Sequence, residues 1–411
     1  MKEHVKTAAL ILLSLSAAFL VYRTWIADSG LFGGEAQGLP VFARERLDYT
    51  PSAARPAACA VMRSGERTGT QYDEETGHVY ELFKFLLAGA FSTAANAEQV
   101  ENTWTQREIL SRDGVYFKFS GHFPLPLIAA WLSADVPALP AAAGGVEAVG
   151  LVFDGSSVQV YWIYTTGDFW LAESDAIFEE WPDMPEMRLC AFAFETAYTD
   201  VWRLRQLLIE EALPRASVIL SVPPGIRQGD SVYAPFLVNL DLASSGATFY
   251  DRDDGRVYVD VESGRSCIFS DDGAIRFSSP AAVPPAASAD AGIAADVLRA
   301  WEALSLLEPV TGSARFEVYR VTREGGTTII EFLLVTGGVP VLWEPAMVEV
   351  RNGVIGQISL TLRFVEAGDS AAAPLPLRQA AALAPHGGTA RLDLRYVPGG
   401  EAAEIMWVVS E

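Results

Sequence analysis

Hydrophobic and polar positions follow two periods along this chain, and the periods come in blocks. Ala57 to Met62 is a short apolar run that predicts a first strand. Leu82, Phe83, Phe85, Leu86, Leu87 and Phe91 crowd the stretch Glu81 to Phe91, which predicts a helix apolar around most of its circumference. A second helix is predicted over Asn96 to Leu110, with Val100, Trp104 and Ile109 inward, and Arg112-Asp113-Gly114 stops it. Val115, Phe117 and Phe119 then alternate with Tyr116, Lys118 and Ser120, the period of a strand. Pro124 and Pro126 break that strand, Leu127 to Leu132 reads as a short helix, and Ala138 to Gly145 as a loop of small residues. Val149 to Phe153, Val158 to Tyr164 and Phe169 to Leu171 are separated by Asp154-Gly155 and Thr166-Gly167, which predicts a meander.

The second half repeats this alternation of blocks. Leu189 to Phe194 is apolar, and Asp200 to Leu213 reads as a helix with Val201, Leu204, Leu207 and Leu208 on one face. Asp254-Gly255, Ser263-Gly264 and Asp272-Gly273 punctuate three short strands around Val257–Val259, Cys267–Phe269 and Ile275–Phe277, the spacing of an antiparallel sheet. A helix follows from Ala289 to Leu306, with Ile293, Val297, Trp301 and Leu304 inward and Ser288 or Asp290 placed to cap it. Strands are predicted over Arg315 to Val321, Thr327 to Thr336, Val339 to Leu342, Ala346 to Val350, Ile355 to Phe364, Ala390 to Tyr396 and Ala403 to Val409. Thr327 to Thr336 carries apolar residues on both faces, as a strand covered on both sides does.

One stretch belongs to neither pattern. Thr7 to Tyr22 reads TAALILLSLSAAFLVY without a charge. Extended to Ala27 it gives about 31 Å of helix, enough to cross a bilayer core. Small residues sit mid-stretch and are followed by Phe19, Leu20, Val21 and Tyr22, so an uncleaved anchor is expected rather than a signal peptide. Lys2 and Lys6 before the span favour a cytoplasmic N-terminus with the bulk of the chain outside the cell membrane. The expected fold class is α+β, with a single N-terminal transmembrane helix and two or three extracytoplasmic domains of mainly antiparallel sheet with packed helices. The expected units are a tail and anchor over 1–27, a glycine- and proline-rich stalk over 28–56, and α+β domains over 57–180, 181–287 and 288–411. The last boundary is placed in the alanine- and proline-rich Pro280 to Asp290.

Composition narrows the function classes. Half the residues are apolar and 11% aromatic, so the chain can bury real cores. Thirty basic against 52 acidic residues give a net charge of −22 without a basic stripe, which argues against nucleic-acid binding. Cys59, Cys190 and Cys267 are an odd number that cannot pair completely within the chain, so they read as buried small hydrophobes rather than disulfide partners, and without a C-x-x-C pair a thiolate zinc site has no support.

Gly229-Asp230-Ser231 is similar to the opening block of the GDSL hydrolases, but His386 lacks that family's Asp three residues earlier, where Leu383 stands. Asp251, Asp253, Asp254 and Glu262 have the acidity of a calcium loop, yet Gly255 and Arg256 occupy its fifth and sixth positions, and a solvated hairpin turn explains them. His4, His78, His122 and His386 lie far apart, so no histidine cluster has local support, and Glu179-Glu180 reads as an exposed face. No catalytic, cofactor or metal residues are expected, and no enzyme.

Three stretches carry a family resemblance. The opening MKEHVKTAALILLSLSAAFLVYRTWI sets a charged tail before an apolar span. GVYFKFSGHFPLPLIAAWL, Gly114 to Leu132, is a strand, a proline turn and an apolar helix. VYVDVESGRSCIFSDDGAIRFSSP, Val257 to Pro280, holds Tyr258, Asp260, Gly264, Arg265, Gly273 and Phe277 in successive hairpins. Together they resemble the YycH (WalH) family, membrane-anchored regulators of the YycG/WalK sensor histidine kinase of Gram-positive bacteria. The C-terminal unit, ending EIMWVVSE, resembles the domain that this family shares with YycI. The chain departs from the family pattern in its many alanines and in having no lysine after Lys118.

The resemblance implies regulation without catalysis of a two-component system for cell-wall homeostasis. The implied partners are a YycG/WalK-type kinase, a YycI-like membrane protein and the lipid bilayer. On a helical wheel Ser14, Ala17, Ala18, Val21 and Trp25 share one side of the span, and Ser14 and Ala18 form a small-xxx-small pair that lets another helix come close. A plain lipid anchor accounts for the same residues. An extracytoplasmic module that binds an envelope ligand is the alternative function, and an envelope hydrolase a more distant one.

Overall fold

A computed structural model describes residues 56–134, 144–195, 206–209, 215–226, 231–242, 247–280, 292–324, 326–341, 344–372, 374, 380, 391–399 and 402–410. The expected span, its partner-facing residues Ser14, Ala17, Ala18, Val21 and Trp25, the stalk, most of the loop before Gly145 and the linker after Pro280 lie outside the described residues. Among the described residues no helix is long and apolar enough to cross a membrane.

The first sheet is built around a hairpin, β1 (Ala58–Arg63) and β2 (Glu66–Gln71), turned through Ser64 and Gly65, both at positive φ. The other strands are β3 (Ala95–Gln99), β4 (Gly114–Phe123), β5 (Val146–Asp154), β6 (Ser157–Tyr164), β7 (Phe169–Ile177), β8 (Arg188–Phe192) and β9 (Leu207–Ile209). Paired throughout antiparallel, they run 9-8-2-1-4-5-6-7-3. Helices α1 (Glu74–Ser92) and α3 (Leu125–Leu132) cover one face. The second face carries a core of its own, where Ile109 and Leu110 of α2 (Thr103–Ser111) meet Cys190, Phe192 and Leu207. This double cover explains the apolar run of β5. Its Val149, Leu151 and Phe153 face one core while Ala148 and Val152 face the other, all buried.

The second sheet runs β11 (Ala247–Arg252), β12 (Gly255–Asp260), β13 (Arg265–Ser270), β14 (Ala274–Ser278), β19 (Val354–Thr361), β18 (Ala346–Arg351), β16 (Thr327–Thr336), β15 (Arg315–Glu324), also antiparallel. The short β17 (Val339–Pro340) adds to the end of β16. The pairing of β14 with β19 sets strands from both sides of the Pro280 to Asp290 stretch in one sheet. One face is covered by α5 (Ile293–Ser305), which buries Val297, Trp301 and Leu304, and by α4 (Ala234–Asn239) with Phe236. β10 (Arg215–Ser221), β20 (Phe364–Ala372), β21 (Arg391–Gly399) and β22 (Ala402–Ser410) form a third, four-stranded sheet in the order 20-10-22-21. One continuous core runs from Phe117 and Trp162 through Phe277 and Trp301 to Tyr396. The architecture is thus α+β, mostly sheet with a few packed helices.

Four expectations are corrected. The stretch Asn96 to Leu110 is a strand and a shorter helix, because Asn102 accepts from the Trp104 N–H at 2.8 Å and starts α2 there. Trp104 stands in that first turn and is 68% exposed instead of inward. Leu207 to Ile209, expected in a helix, is a buried strand against β8, since a short apolar run carries no period of its own. In the helix around Leu87, Phe83, Leu87 and Phe91 are buried, but Phe85, counted with them on the apolar side, points out and is 87% exposed. α5 begins at Ile293 behind Gly292, without a side-chain cap, and Ser288 and Asp290 lie outside the described residues.

Candidate functional surface

The residues that carried the family resemblance in the second half come together in the β12–β13–β14 meander, where they fix turns and packing. The Ser263 hydroxyl donates to Asp260 at 2.6 Å, and the N–H groups of Glu262 and Ser263 donate to its other oxygen at 3.1 and 3.4 Å. The Ser263 hydroxyl first, and then those N–H groups, hold the Asp260 carboxyl below the usual carboxylate range. Gly264 follows at φ +70°, and Arg265 reaches Asp241 at 2.7 Å, tying the turn to the end of α4. Tyr258 stands edge-on to Phe269 at 5.7 Å, and Phe277 is buried beside Cys267 across the ladder.

The other candidate groups disperse. Asp251 pairs with Arg256 at 2.7 Å and Asp254 with Arg252 at 3.0 Å, on an exposed hairpin end. Among the described residues no three His, Cys, Asp or Glu side chains are placed to hold a metal ion. Gly229 and Asp230 lie outside the described residues, and Ser231 opens a short turn before α4. Cys59, Cys190 and Cys267 are buried, and burial pushes the Cys59 and Cys267 thiols far up, away from the nucleophilic thiolate. A crevice of about 10 Å³ beside Arg67, Tyr161 and Phe192 has room for one water. Arg67 is committed there: it pairs with Glu195, donates to the Leu110 carbonyl at 2.7 Å and lies 4.6 Å from the Phe192 ring.

The contact between the first two sheets was not anticipated from the sequence. His122 of β4 and Arg320 of β15 make a single parallel bridge. A Cβ on Gly121 would sit 1.8 Å from the Tyr319 carbonyl oxygen, so only glycine allows the strands to meet. The His122 and Tyr319 rings stack edge-on at 5.8 Å, and α3 packs on α5 alongside. The Ser-Gly-His-Phe run in a strand was the available signal, since a strand glycine marks a close backbone approach.

What the described body offers solvent is surface for contact. Phe249 and Tyr250 on β11 are 60% and 53% exposed, and Val261, just after β12, is 77% exposed. The outer face of the second sheet is half-buried along β18 and β19.

No known protein-family profile matches this sequence, and no curated protein matches it. Among solved structures the fold is similar to that of YycH from Bacillus subtilis, with a TM-score of 0.52 and 8% identity over 85% of this chain and 92% of that one. A protein from Eubacterium rectale is a more distant likeness, with a TM-score of 0.32 and 10% identity over 49% of this chain and 79% of that one. The chain therefore has a YycH-like fold.

Proposed function

We propose that this protein is a membrane-anchored extracytoplasmic regulator of a two-component sensor histidine kinase of the YycG/WalK type, and not an enzyme. The observation that carries the reading is the correspondence of the whole body, rather than one lobe, with the YycH fold. The apolar run Thr7 to Tyr22 supplies the anchor, and a YycI-like membrane protein and the bilayer are the further partners. Broad contact surface and dispersed reactive groups favour work by protein–protein contact over a pocket for a small ligand.

In this reading the span is a signalling part. Its Ser14, Ala17, Ala18, Val21 and Trp25 side faces a partner helix, and close approach depends on the small residues. Ala18→Leu then displaces the partner at little cost to insertion, and Ser16→Leu on the opposite side is the matched control. The expected result is altered output from the kinase's target genes and weaker co-purification of the kinase with Ala18→Leu alone. Unchanged output with both variants, and with the whole span replaced, makes the helix a tether only.

A further inference from the structure

We infer that β1 is a mechanical clamp, through which tension on the chain before Pro56 passes into the sheets instead of peeling the fold open. The described fold begins at this strand, and β1 is flanked on both sides. It pairs antiparallel with β2 through six residue pairs and with β4 through five. Just before it, the Ala57 N–H donates to the Lys118 carbonyl at 2.7 Å, and the Tyr72 N–H donates to the Ala57 carbonyl at 2.7 Å. Cys59 and Val61 are anchored in the main core.

The direction of load follows from the register. Ladder hydrogen bonds lie perpendicular to the strands. A pull on the chain from the Ala58 end drags β1 along its own axis past both neighbours, so the bonds of both ladders are strained together. A pull across the sheet strains them one after another. Rupture under force reports the barrier to unfolding, and the barrier is higher when the bonds must yield together.

The entry point also lies close to the seam. Lys118, which holds Ala57, is three residues before Gly121, where β4 touches Tyr319. Tyr72 packs its backbone against Gly338 at the end of β16, where a Cβ would sit 2.9 Å from the Tyr72 carbonyl oxygen. Load arriving at Ala57 therefore reaches elements of both large sheets. The clamp is a property of the ladder and holds whatever partner the protein serves.

The test pulls the full chain, in detergent micelles, between an N-terminal handle and a second handle at either end of the first sheet. Ser156, in the exposed β5–β6 turn, lies at the end away from Ala57, since Val152 pairs with Gly114 and Gly114 with Met62. Thr166, in the β6–β7 turn, lies at the same end as Ala57, since Tyr164 pairs with Val146. A handle on Ser156→Cys loads β1 in shear and one on Thr166→Cys loads it in peeling, while the native cysteines are buried from the reagent. The expected first rupture force is at least twofold higher for Ser156→Cys at the same loading rate, and Asp154→Cys repeats the shear result. Equal forces, or a lower force in shear, overturn the clamp.

Discussion

The first and second sheets solve the problem of an exposed face differently. The first is covered on both sides, by α1 and α3 on one and by α2 with Cys190, Phe192 and Leu207 on the other, so β5 is buried from Val146 through Phe153. Among the described residues the second is covered by helices, α5 and α4, on one side only, and β18 and β19 alternate between buried and half-buried positions. A strand with two buried faces admits charge only where it is partnered, as at the buried Glu147 of β5, whereas a strand with one open face can carry charge in water and still fold. The first sheet reads as a scaffold and the second as the one with surface to spare for contact.

Matched substitutions can break this contrast. Ala148 of β5 is wholly buried on the second face, so Ala148→Asp puts a carboxylate among apolar groups and costs about 4 kcal/mol or more. Ser359 is half-buried on the outer face of β19, opposite the exposed Arg276, so Ser359→Asp changes stability by no more than about 0.5 kcal/mol. Urea midpoints of the two variants check this, and similar losses in both refute the one-sided cover of the second sheet.

The seam is expected to show the next largest effect. Gly121→Ala drives a methyl into the Tyr319 carbonyl and costs about 3 kcal/mol. Gly89→Ala, on α1 where a Cβ meets nothing within 4 Å, stabilises by about 0.5–1 kcal/mol through helix propensity. Opposite shifts of the denaturation midpoint are the predicted outcome. Cys59 and Cys267 then report whether the two sheets unfold together, because one core contains both. Their thiols should become reactive at the same urea concentration, and separate transitions would mean that the sheets yield independently.

The smallest effect concerns the Asp260 turn. Its carboxyl is held below the usual range in the folded state, so its contribution is present above the unfolded carboxylate value and is lost as pH falls through the folded one. The stability difference between the native chain and Asp260→Asn should shrink on acidification from about pH 6 to about pH 2. A difference that stays constant over that range contradicts the hydrogen bonding at this turn.

Much of this fold was legible where local chemistry decides it. Gly264 and Gly273 take positive φ at the turns that separate β12, β13 and β14, and only the turn residues were needed to place those strands. β2 is hidden in the sequence because ERTGTQ has no apolar alternation, although Ser64-Gly65 before it is a hairpin signal. Leu207 to Ile209 reads equally as helix or strand because three apolar residues fit either period, and only its pairing with β8 decides. The seam was out of reach for a different reason: Gly121 and Tyr319 are brought together by the whole topology, and neither neighbourhood names the other. The candidate contact residues of the span rest on helical spacing and on the resemblance, which no local rule can extend to the exterior surface.

The proposed function, regulation of a sensor kinase from outside the membrane, is open to a direct test. The most direct measurement is transcription of the target genes of the YycG/WalK-type kinase in the host organism, before and after deletion of this gene, with the chain restored in trans. The account predicts a change in those transcripts on deletion and its reversal by the full chain. Unchanged transcripts under conditions where the kinase itself is active would contradict it.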